Sequence, residues 1–295
     1  MQRVEAEIAR LIEEIEYSEV SRLFGMLQGG KRLRAKLILK IAPQHNDAPL
    51  LAAIVELIHA ASLLHDDVID EAQTRRGVVS VNASEDSKTA VMLGDILYSK
   101  AFSELLRFES EIAFTIASSV TALSKGEMMD VAMSRSFNSD ASLYLDMLYL
   151  KTATLIEAAA KASALLAGKD ASKYALYGRN LGLSFQIIDD ILDITSTQEV
   201  LGKPALNDFV EGKCTLPYIY LHESLPSQEQ EILRSLHAKM VSKEESEWIV
   251  SKMQEHNSIG QAYAYAQKLS NDAKELLKDD LELVAILDAM MQRSF

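Results

Sequence analysis

Helix-breaking residues are scarce in this chain of 295 residues, and their scarcity limits the folds open to it. Only 5 prolines and 12 glycines interrupt stretches rich in Ala, Leu, Glu, Lys and Met, which are strong helix formers. The one short strand candidate is VVSVN at 78–82. Apolar residues make up 48% of the chain, enough for a sizeable core. We therefore predict an all-α fold in which 1–295 forms a single domain of helices around a central cavity or core.

Apolar residues at helical spacing locate the individual helices. Ser139 or Asp140 is the expected N-cap of the helix over 140–167, and Gly168 is its expected C-cap. The predicted helices cover 2–24, 31–42, 47–71, 87–107, 109–133, 140–167, 171–193, 212–223, 227–237, 242–256 and 258–292.

Composition restricts the partners and the compartment. The net charge of −13 argues against nucleic-acid binding, since phosphate backbones need a basic face. The single cysteine, Cys214, excludes an intrachain disulfide and fits a reducing compartment. The N-terminus resembles no signal peptide, and the most apolar window, 48–64, carries Glu56 and His59 and is short for a membrane span. These features predict a cytoplasmic protein with no transmembrane segment.

Two aspartate clusters follow apolar helical stretches, in LLHDDVID at 63–70 and QIIDDILD at 186–193. Residues four apart share one face of a helix, so Asp66 can point with Asp70 and Asp189 with Asp193. Like charges so placed repel each other unless a cation offsets them. Mg²⁺ suits one or two carboxylates together with waters and substrate phosphates. One cluster alone fits a solvated helix end equally well, whereas two favour a magnesium site for a diphosphate with an apolar tail.

Basic residues accompany both clusters. GGKRLR at 29–34 places Lys31 and Arg34 on one helical face after two glycines, which makes an anion site. GMLQGGK at 25–31 matches most of a Walker A loop, but Arg32 follows the lysine and no strand precedes it, so we reject that motif. Four more basic residues follow the aspartate clusters and are candidates for binding the same anion: Arg75, Arg76, Lys203 and Lys213. Each basic residue named here could instead belong to an exposed helix face or a structural ion pair.

Glu56 and His59 form one E-x-x-H motif on the apolar helix before the first cluster. A di-iron bundle needs two such motifs, and the chain has one. His59 lies seven residues before Asp66, which is nearly the same face, so it is either a ligand-facing donor or a core histidine. His65 is expected to be structural.

The chain resembles the trans-isoprenyl diphosphate synthases, the polyprenyl synthetase family, over most of its length and in order. The matching motifs are GGKRLR at 29–34, HAASLLHDDVID with RRG at 59–77, LGDILYSKAF at 93–102, KGEMMD at 125–130, YLKTATLIE at 149–157, FQIIDDILDI at 185–194 and GKPALNDFVEGKCTLP at 202–217. The resemblance implies an isoprenoid synthase fold with a deep apolar cavity, usually a homodimer. It also implies Mg²⁺-dependent condensation of isopentenyl diphosphate with an allylic diphosphate, and transient membrane contact for product release.

The same resemblance implies roles for individual residues. Asp66 and Asp70 would hold two of three magnesium ions, and Asp189, helped by Asp193, the third. Thr152 and Gln186 would lie near the developing allylic cation. The diphosphate-binding residues would be Lys31, Arg34, His59 and Arg76 for isopentenyl diphosphate and Arg75, Lys151 and Lys203 for the allylic substrate, with Lys213 a weaker assignment.

Two small residues before the first cluster bear on product length. In the resembling short-chain enzymes, aromatic side chains four or five residues before the first aspartate block the growing tail, whereas this chain has Ala61 and Ser62. These residues lie about 6 to 7.5 Å before the metal-binding end of the helix, so the tail can pass them and a product of roughly eight units is expected. Met128, Met129 and Met133 are candidates for the floor that stops it.

The departures from the family pattern are mild. Ala35 stands where proline is usual after GGKRLR, and Asp130 stands where glutamine is common in GEMMD. Two other functions remain open, a short- or medium-chain synthase making geranylgeranyl diphosphate and the non-catalytic subunit of a heteromeric synthase. A terpene cyclase is disfavoured because GGKRLR and a second DDxxD are both present.

Overall fold

Helices make up nearly all of the regular structure in the computed structural model, which describes residues 1–27, 30, 32–75, 77–195 and 206–292. Lys31, Arg76 and Lys203 lie outside these described residues. The helices are α1 Gln2–Glu13, α2 Ser18–Phe24, α3 Leu33–Ile41, α4 Ala48–Ile69, α5 Val81–Ser84, α6 Ser87–Leu105, α7 Ser110–Met133, α8 Ala141–Leu148, α9 Thr154–Leu166, α10 Ala171–Thr195, α11 Asn207–Val210, α12 Leu216–Ser224, α13 Ser227–Leu236, α14 Lys243–Glu255, α15 Ser258–Leu276 and α16 Leu281–Met291.

Four further elements complete the description. A 3₁₀ helix covers Gly25–Leu27, and a π-helix over Tyr149–Ala153 joins α8 to α9. The strands Thr74–Arg75 and Val78–Val79 pair antiparallel as a small hairpin, with Thr74 opposite Val79. The strand predicted at 78–82 is therefore confirmed only at its start, because Val81 and Asn82 begin the helix α5.

Two long predicted helices are each broken once. The helix predicted over 2–24 is interrupted between α1 and α2, where Glu16 has a left-handed φ of 54°. The helix predicted over 258–292 is interrupted before α16, where the Asp280 side chain accepts the backbone N–H of Leu283. Apolar spacing continues across both breaks, so it could not reveal them. The predicted caps Asp140 and Gly168 are confirmed by the bonds that Asp140 accepts and by the φ of 65° at Gly168.

The chain forms two compact units, and the first comprises Met1–Val120 with Glu157–Ala175. Its central helix is α4, on which α1, α3 and α6 pack. Leu51, Ile54, Leu57 and Ile58 of α4 are fully buried, and each such side chain contributes about 1.5–3 kcal/mol of hydrophobic stabilisation. Among the described helices α4 alone has the length and composition of a membrane span, but 83% of its apolar window is buried inside the protein. This burial supports the predicted core helix.

The second unit comprises Thr121–Ile156 with Leu176–Phe295. Ile187, Ile188 and Ile191 of α10 are fully buried in its core, together with residues of α12 and α15. A neighbouring cluster is centred on Phe209 and Tyr218, whose rings stack with centroids 4.4 Å apart. Because the isoleucines fix the rotation of α10, they also fix where its aspartates point.

Candidate active site

The end of α4 carries a stripe of accessible residues that includes two of the aspartates. His59, Leu63 and Asp66 are half-buried and Asp70 is exposed. At 100° per residue these four lie within about 60° of one another around the helix axis. His59 therefore shares a face with Asp66 and Asp70, as a ligand-facing donor would.

Asp67, the middle aspartate of the first cluster, has a structural environment. Its side chain is buried and accepts a hydrogen bond from Arg75 Nε at 2.7 Å. Its backbone carbonyl accepts from the Nδ2 of Asn82 at 3.1 Å and from the N–H of Ala72 at 2.9 Å. Asp67 thus fastens the hairpin to α4. Arg75 makes the structural ion pair that the sequence left open as an alternative to diphosphate binding.

Glu56 anchors the start of α3. Its buried carboxylate accepts the backbone N–H of Ala35 at 3.0 Å and lies 3.4 Å from the guanidinium of Arg32. Arg32 occupies the N-cap position with a left-handed φ of 49°. The glutamate of the E-x-x-H motif therefore binds protein groups and positions the helix that carries the half-buried Arg34. A proline in place of Ala35 would lack the N–H that Glu56 accepts.

His65 lies against α6 and has a structural environment. Its Nε2 is 3.3 Å from the carbonyl oxygen of Val91. A Cβ on Gly94 would lie 2.4 Å from the same nitrogen, so the ring requires glycine there. Burial, together with the charge of Asp66, raises the pKa of the neighbouring Tyr98. The glycine of the LGD motif therefore serves the packing of α4 on α6.

Lys151 lies in the π-helix and forms ion pairs with two carboxylates of α7. Its Nζ is 2.9 Å from Glu127 and 2.5 Å from Asp130. Burial opposes the charged ammonium, but the two carboxylates outweigh it and raise the pKa of Lys151. Gly126 allows this approach, since a Cβ there would lie 2.3 Å from the backbone nitrogen of Lys151. A π-turn within an α-helix often marks a functional site.

A chain of polar contacts runs from the π-helix to the second aspartate cluster. Thr152 Oγ1 donates to Gln186 Oε1 at 3.4 Å, and Gln186 Nε2 donates to Asp190 at 3.0 Å. The hydroxyl of Tyr144 donates to the other oxygen of Asp190. Burial raises the pKa of Asp190 to about 7 and that of Tyr144 well above its usual value. The structure thus brings Thr152 and Gln186 together, as the sequence resemblance implies.

The second cluster repeats the arrangement of the first. Asp190, its middle residue, is buried, whereas Asp189 and Asp193 are half-buried. Asp193 also orders the following turn, since its carboxylate accepts the backbone N–H of Asp208 at 3.1 Å. Burial raises the pKa of Asp208 above its usual range. In both clusters the middle carboxylate is used by the protein, and the outer two are the more accessible to a cation.

A cavity of about 110 Å³ lies in the second unit beside these residues. Lys213 lines it and forms an ion pair with Glu211 at 2.7 Å. Met133 also lines it, whereas Met128 is 75% exposed, so the suggestion that Met128 forms a cavity floor is wrong. The lining residues most relevant to chemistry are Asp130, Tyr144, Lys151, Thr152, Gln186, Asp190 and Lys213.

The aspartates fit magnesium by donor type. Within the part of the chain that the structure describes, no three His, Cys, Asp or Glu side chains are grouped closely enough to hold an ion together. Magnesium in substrate sites needs only one or two carboxylates, because waters and phosphate oxygens complete its shell. The pairs Asp66 with Asp70 and Asp189 with Asp193 meet that requirement.

Solved structures define the class of protein to which this fold belongs. Octaprenyl pyrophosphate synthase from Helicobacter pylori matches with a TM-score of 0.93 and 42% sequence identity, over 98% of this chain and 97% of that one. Polyprenyl synthase from Caulobacter crescentus, complexed with calcium and isoprenyl diphosphate, matches with a TM-score of 0.89 and 29% identity, over 100% and 96%. The chain is therefore an all-α isoprenyl synthase by fold, which confirms the predicted fold class.

Sequence relatives identify the family. The short chain isoprenyl diphosphate synthase of Methanothermobacter thermautotrophicus is 33% identical over 273 residues, 88% of this chain and 82% of that one. Solanesyl-diphosphate synthase 1 of Oryza sativa is 46% identical over 180 residues, but this chain covers only 42% of its length. Residues 19–253 match the polyprenyl synthetase family. The chain belongs to the polyprenyl synthetase family and is a prenyltransferase, in a family that is magnesium-dependent in general.

Sequence reasoning missed the residues that support the site. Tyr144, Asp190 and Glu127 have no predicted role, although Asp190 contacts Gln186, Glu127 contacts Lys151, and Tyr144 contacts Asp190. The available signal was spacing, because Tyr144 lies seven residues before Lys151 and Asp190 four after Gln186, which are helix-face intervals. The pairs Tyr144 with Asp190 and Glu127 with Lys151 join different helices and cannot be inferred from one helix alone.

Proposed function

We propose that the protein condenses isopentenyl diphosphate with an allylic diphosphate, farnesyl or geranylgeranyl, to make a long-chain all-trans polyprenyl diphosphate of the octaprenyl type. The observation that supports this most directly is the common design of the two aspartate clusters. Each keeps its middle carboxylate buried and its outer carboxylates accessible at the end of an apolar helix. The octaprenyl synthase structure at 42% identity supports the long-chain product.

The aspartates are proposed to hold magnesium around the allylic diphosphate. Asp66 and Asp70 would take two ions, and Asp189 with Asp193 a third. When bound, the ions neutralise the charge that builds on the leaving diphosphate. Among the chain's own cations, Lys151 and Arg75 would contact the allylic diphosphate, together with Lys203.

The allylic cation that forms in this reaction is stabilised by uncharged oxygens held in position near it. The bond between C1 of the allylic substrate and its diphosphate breaks, and the electron pair leaves with the diphosphate. Thr152 and Gln186 present their oxygens near the resulting cation, which they stabilise by their dipoles. The double bond of isopentenyl diphosphate then attacks C1, and the resulting tertiary cation loses a proton to the departing diphosphate, which restores a double bond. Orientation of that second substrate falls to Arg34 and His59, with Lys31, Arg76 and Lys213.

The decisive assay combines the purified protein with labelled isopentenyl diphosphate, farnesyl diphosphate and Mg²⁺, followed by sizing of the extracted product. We expect product of roughly eight units, and a loss of at least about 100-fold in rate for Asp66→Ala, because a charge-stabilising ligand is removed. Asp272→Ala, which removes an exposed carboxylate of α15, should act as wild type. Absence of product from the wild type, or full activity of Asp66→Ala, would overturn the proposal.

Product length is proposed to depend on Ala61 and Ser62. Both are buried in α4, and at 100° per residue Ser62 lies about 40° from Asp66 around the axis while Ala61 lies about 140° away. Ser62 Oγ donates to the carbonyl of His59 at 2.9 Å, so its side chain is small and held in place. Ser62→Phe should shorten the product by several units, and Ala61→Phe should shorten it as well. Chromatography showing the wild-type length in both variants would place the block elsewhere.

A homodimer is proposed from the surface of the first unit. Five exposed apolar side chains lie on α6, at its end and on the start of α7, and we call them the apolar strip: Val91, Met92, Phe102, Leu106 and Phe114, of which Leu106 is 83% and Phe114 73% exposed. An exposed apolar surface rimmed by polar residues is typical of an interface. A second copy of the chain is the proposed partner. The cytoplasmic location and transient membrane contact during product release remain predictions.

A further inference from the structure

Several cations assigned to diphosphate binding are already paired with the protein's own carboxylates. Arg75 binds Asp67 at 2.7 Å and Lys213 binds Glu211 at 2.7 Å. Lys151 differs because it binds two carboxylates. A cation balanced in this way attracts an incoming anion less, since the neighbouring carboxylate repels that anion at short range.

The group around Lys151 carries an excess of negative charge. One ammonium faces two carboxylates, Glu127 and Asp130, whose side chains are only 8% and 10% exposed. Water therefore screens the group weakly. The two acids are three residues apart on α7, so both face the π-helix from the same side. Neither belongs to the proposed magnesium ligands.

We propose that Asp130 and Glu127 act as a counter-charge that keeps Lys151 from binding a diphosphate unless Mg²⁺ accompanies it. The inference rests on the proposed function, in which Lys151 contacts the allylic diphosphate. Asp130 is then a residue that sets selectivity for the metal-bound form of the substrate. It acts through Lys151 and is not itself a ligand of the diphosphate.

The donor count of Lys151 supports this role. An ammonium has three N–H donors. Asp130 accepts one of them, and Glu127 lies at ion-pair distance from the same nitrogen. Lys151 also lines the cavity of the second unit, so a third donor is available to a ligand there. A metal-free diphosphate would approach that donor against the net negative charge of the group. A diphosphate neutralised by magnesium would meet little repulsion and could still accept the hydrogen bond.

The test measures binding without metal. Inorganic pyrophosphate is titrated into the full-length protein by isothermal calorimetry in excess EDTA. Asp130→Asn keeps the size of the side chain and removes one charge, so metal-free affinity should rise about tenfold, the effect of roughly one pK unit of charge interaction. Glu127→Gln should also raise the metal-free affinity for pyrophosphate. With Mg²⁺ present, the gain in affinity of either variant over the wild type should shrink to less than about threefold.

Matched controls separate this effect from net charge. Asp146→Asn makes the same change at an exposed position of α8 and should leave the affinity as in the wild type. In the double variant Asp130→Asn with Lys151→Met the gain should vanish, because the freed ammonium is absent. Far-ultraviolet circular dichroism of each variant should match the wild type.

The outcomes that would overturn the inference are specific. The inference is overturned if the metal-free affinity for pyrophosphate is unchanged, weaker or undetectable in both Asp130→Asn and Glu127→Gln. It is also overturned if Asp130→Asn gains no more metal-free affinity than Asp146→Asn does, or if the gain persists in the double variant with Lys151→Met. Failure of the wild type to form prenyl product with Mg²⁺ would instead refute the proposed function, so the two failures are distinguishable.

Discussion

Tyr144 shows how a single buried hydroxyl can support the site through a neighbouring carboxyl group. It donates to Asp190, which also accepts from Gln186. Tyr144→Phe leaves one oxygen of a buried carboxyl without its donor, which costs about 1–3 kcal/mol of stability. We expect kcat to fall about tenfold, equivalent to about 1.4 kcal/mol, with little change in KM, because Gln186 loses its fixed orientation. Steady-state kinetics with both substrates measures this.

The chain offers a matched control in Tyr177. This tyrosine is also buried, and its hydroxyl donates at 2.8 Å to the backbone carbonyl of Leu283, away from the aspartates. Tyr177→Phe should lose similar stability and keep wild-type kcat. If the two variants changed kcat equally, Tyr144 would be only a packing residue.

At the scale of single residues, the sequence predicts where the aspartates of the two clusters point better than it predicts which side chains they contact. Four-residue spacing indicates that Asp66 and Asp70 share a face, and the helix end bears this out. Asp67 points inward to Arg75 because the hairpin that follows α4 folds back on the helix, and Asp190 points to Tyr144 because α8 packs beside α10. Neither helix pattern alone contains these contacts, and the one between Tyr144 and Asp190 joins residues 46 positions apart.

The approach of α7 to the π-helix sets the local geometry of Lys151. Gly126→Ala would place a methyl group 2.3 Å from a backbone nitrogen that cannot move without shifting the π-helix. Such overpacking costs about 1–3 kcal/mol, so the midpoint of urea unfolding should fall. Activity should fall further than stability explains, since Lys151 and Thr152 would both be displaced.

Gly25 provides the comparison for that variant. It has a helical φ of −58°, and a Cβ there would meet nothing within 4 Å. Gly25→Ala should leave the urea midpoint unchanged or raise it, because alanine is favoured over glycine in helices by up to about 1 kcal/mol. Equal destabilisation by the two substitutions would contradict the close-packing argument.

Helix periodicity located the elements but not their interruptions. The turn containing Glu16 and the cap at Asp280 are set by local backbone conformation and one side-chain bond. The π-helix was likewise hidden within the predicted helix over 140–167, because one extra residue hardly alters a pattern of period 3.6.

At the scale of the whole molecule, the apolar strip on and after α6 predicts the assembly. We expect sedimentation equilibrium to give twice the 32.7 kDa mass of the chain. Leu106→Glu combined with Phe114→Glu should shift the protein to monomer, since charges are excluded from the core of an interface. Met240→Glu, at a residue 82% exposed elsewhere, should leave the mass unchanged. A monomeric wild type would refute the proposed homodimer.

The π-helix at Tyr149–Ala153 also limits which single-residue insertions and deletions the protein can tolerate. Deleting one residue there would restore a regular α-helix, but it would turn the preceding turns by about 100° and take Tyr144 away from Asp190. The gain in backbone regularity would thus disassemble the polar contacts beside Lys151. Single-residue insertions and deletions between Tyr144 and Thr152 should therefore not be tolerated. A library of single-residue deletions scored for activity would show this as a loss of function across that range.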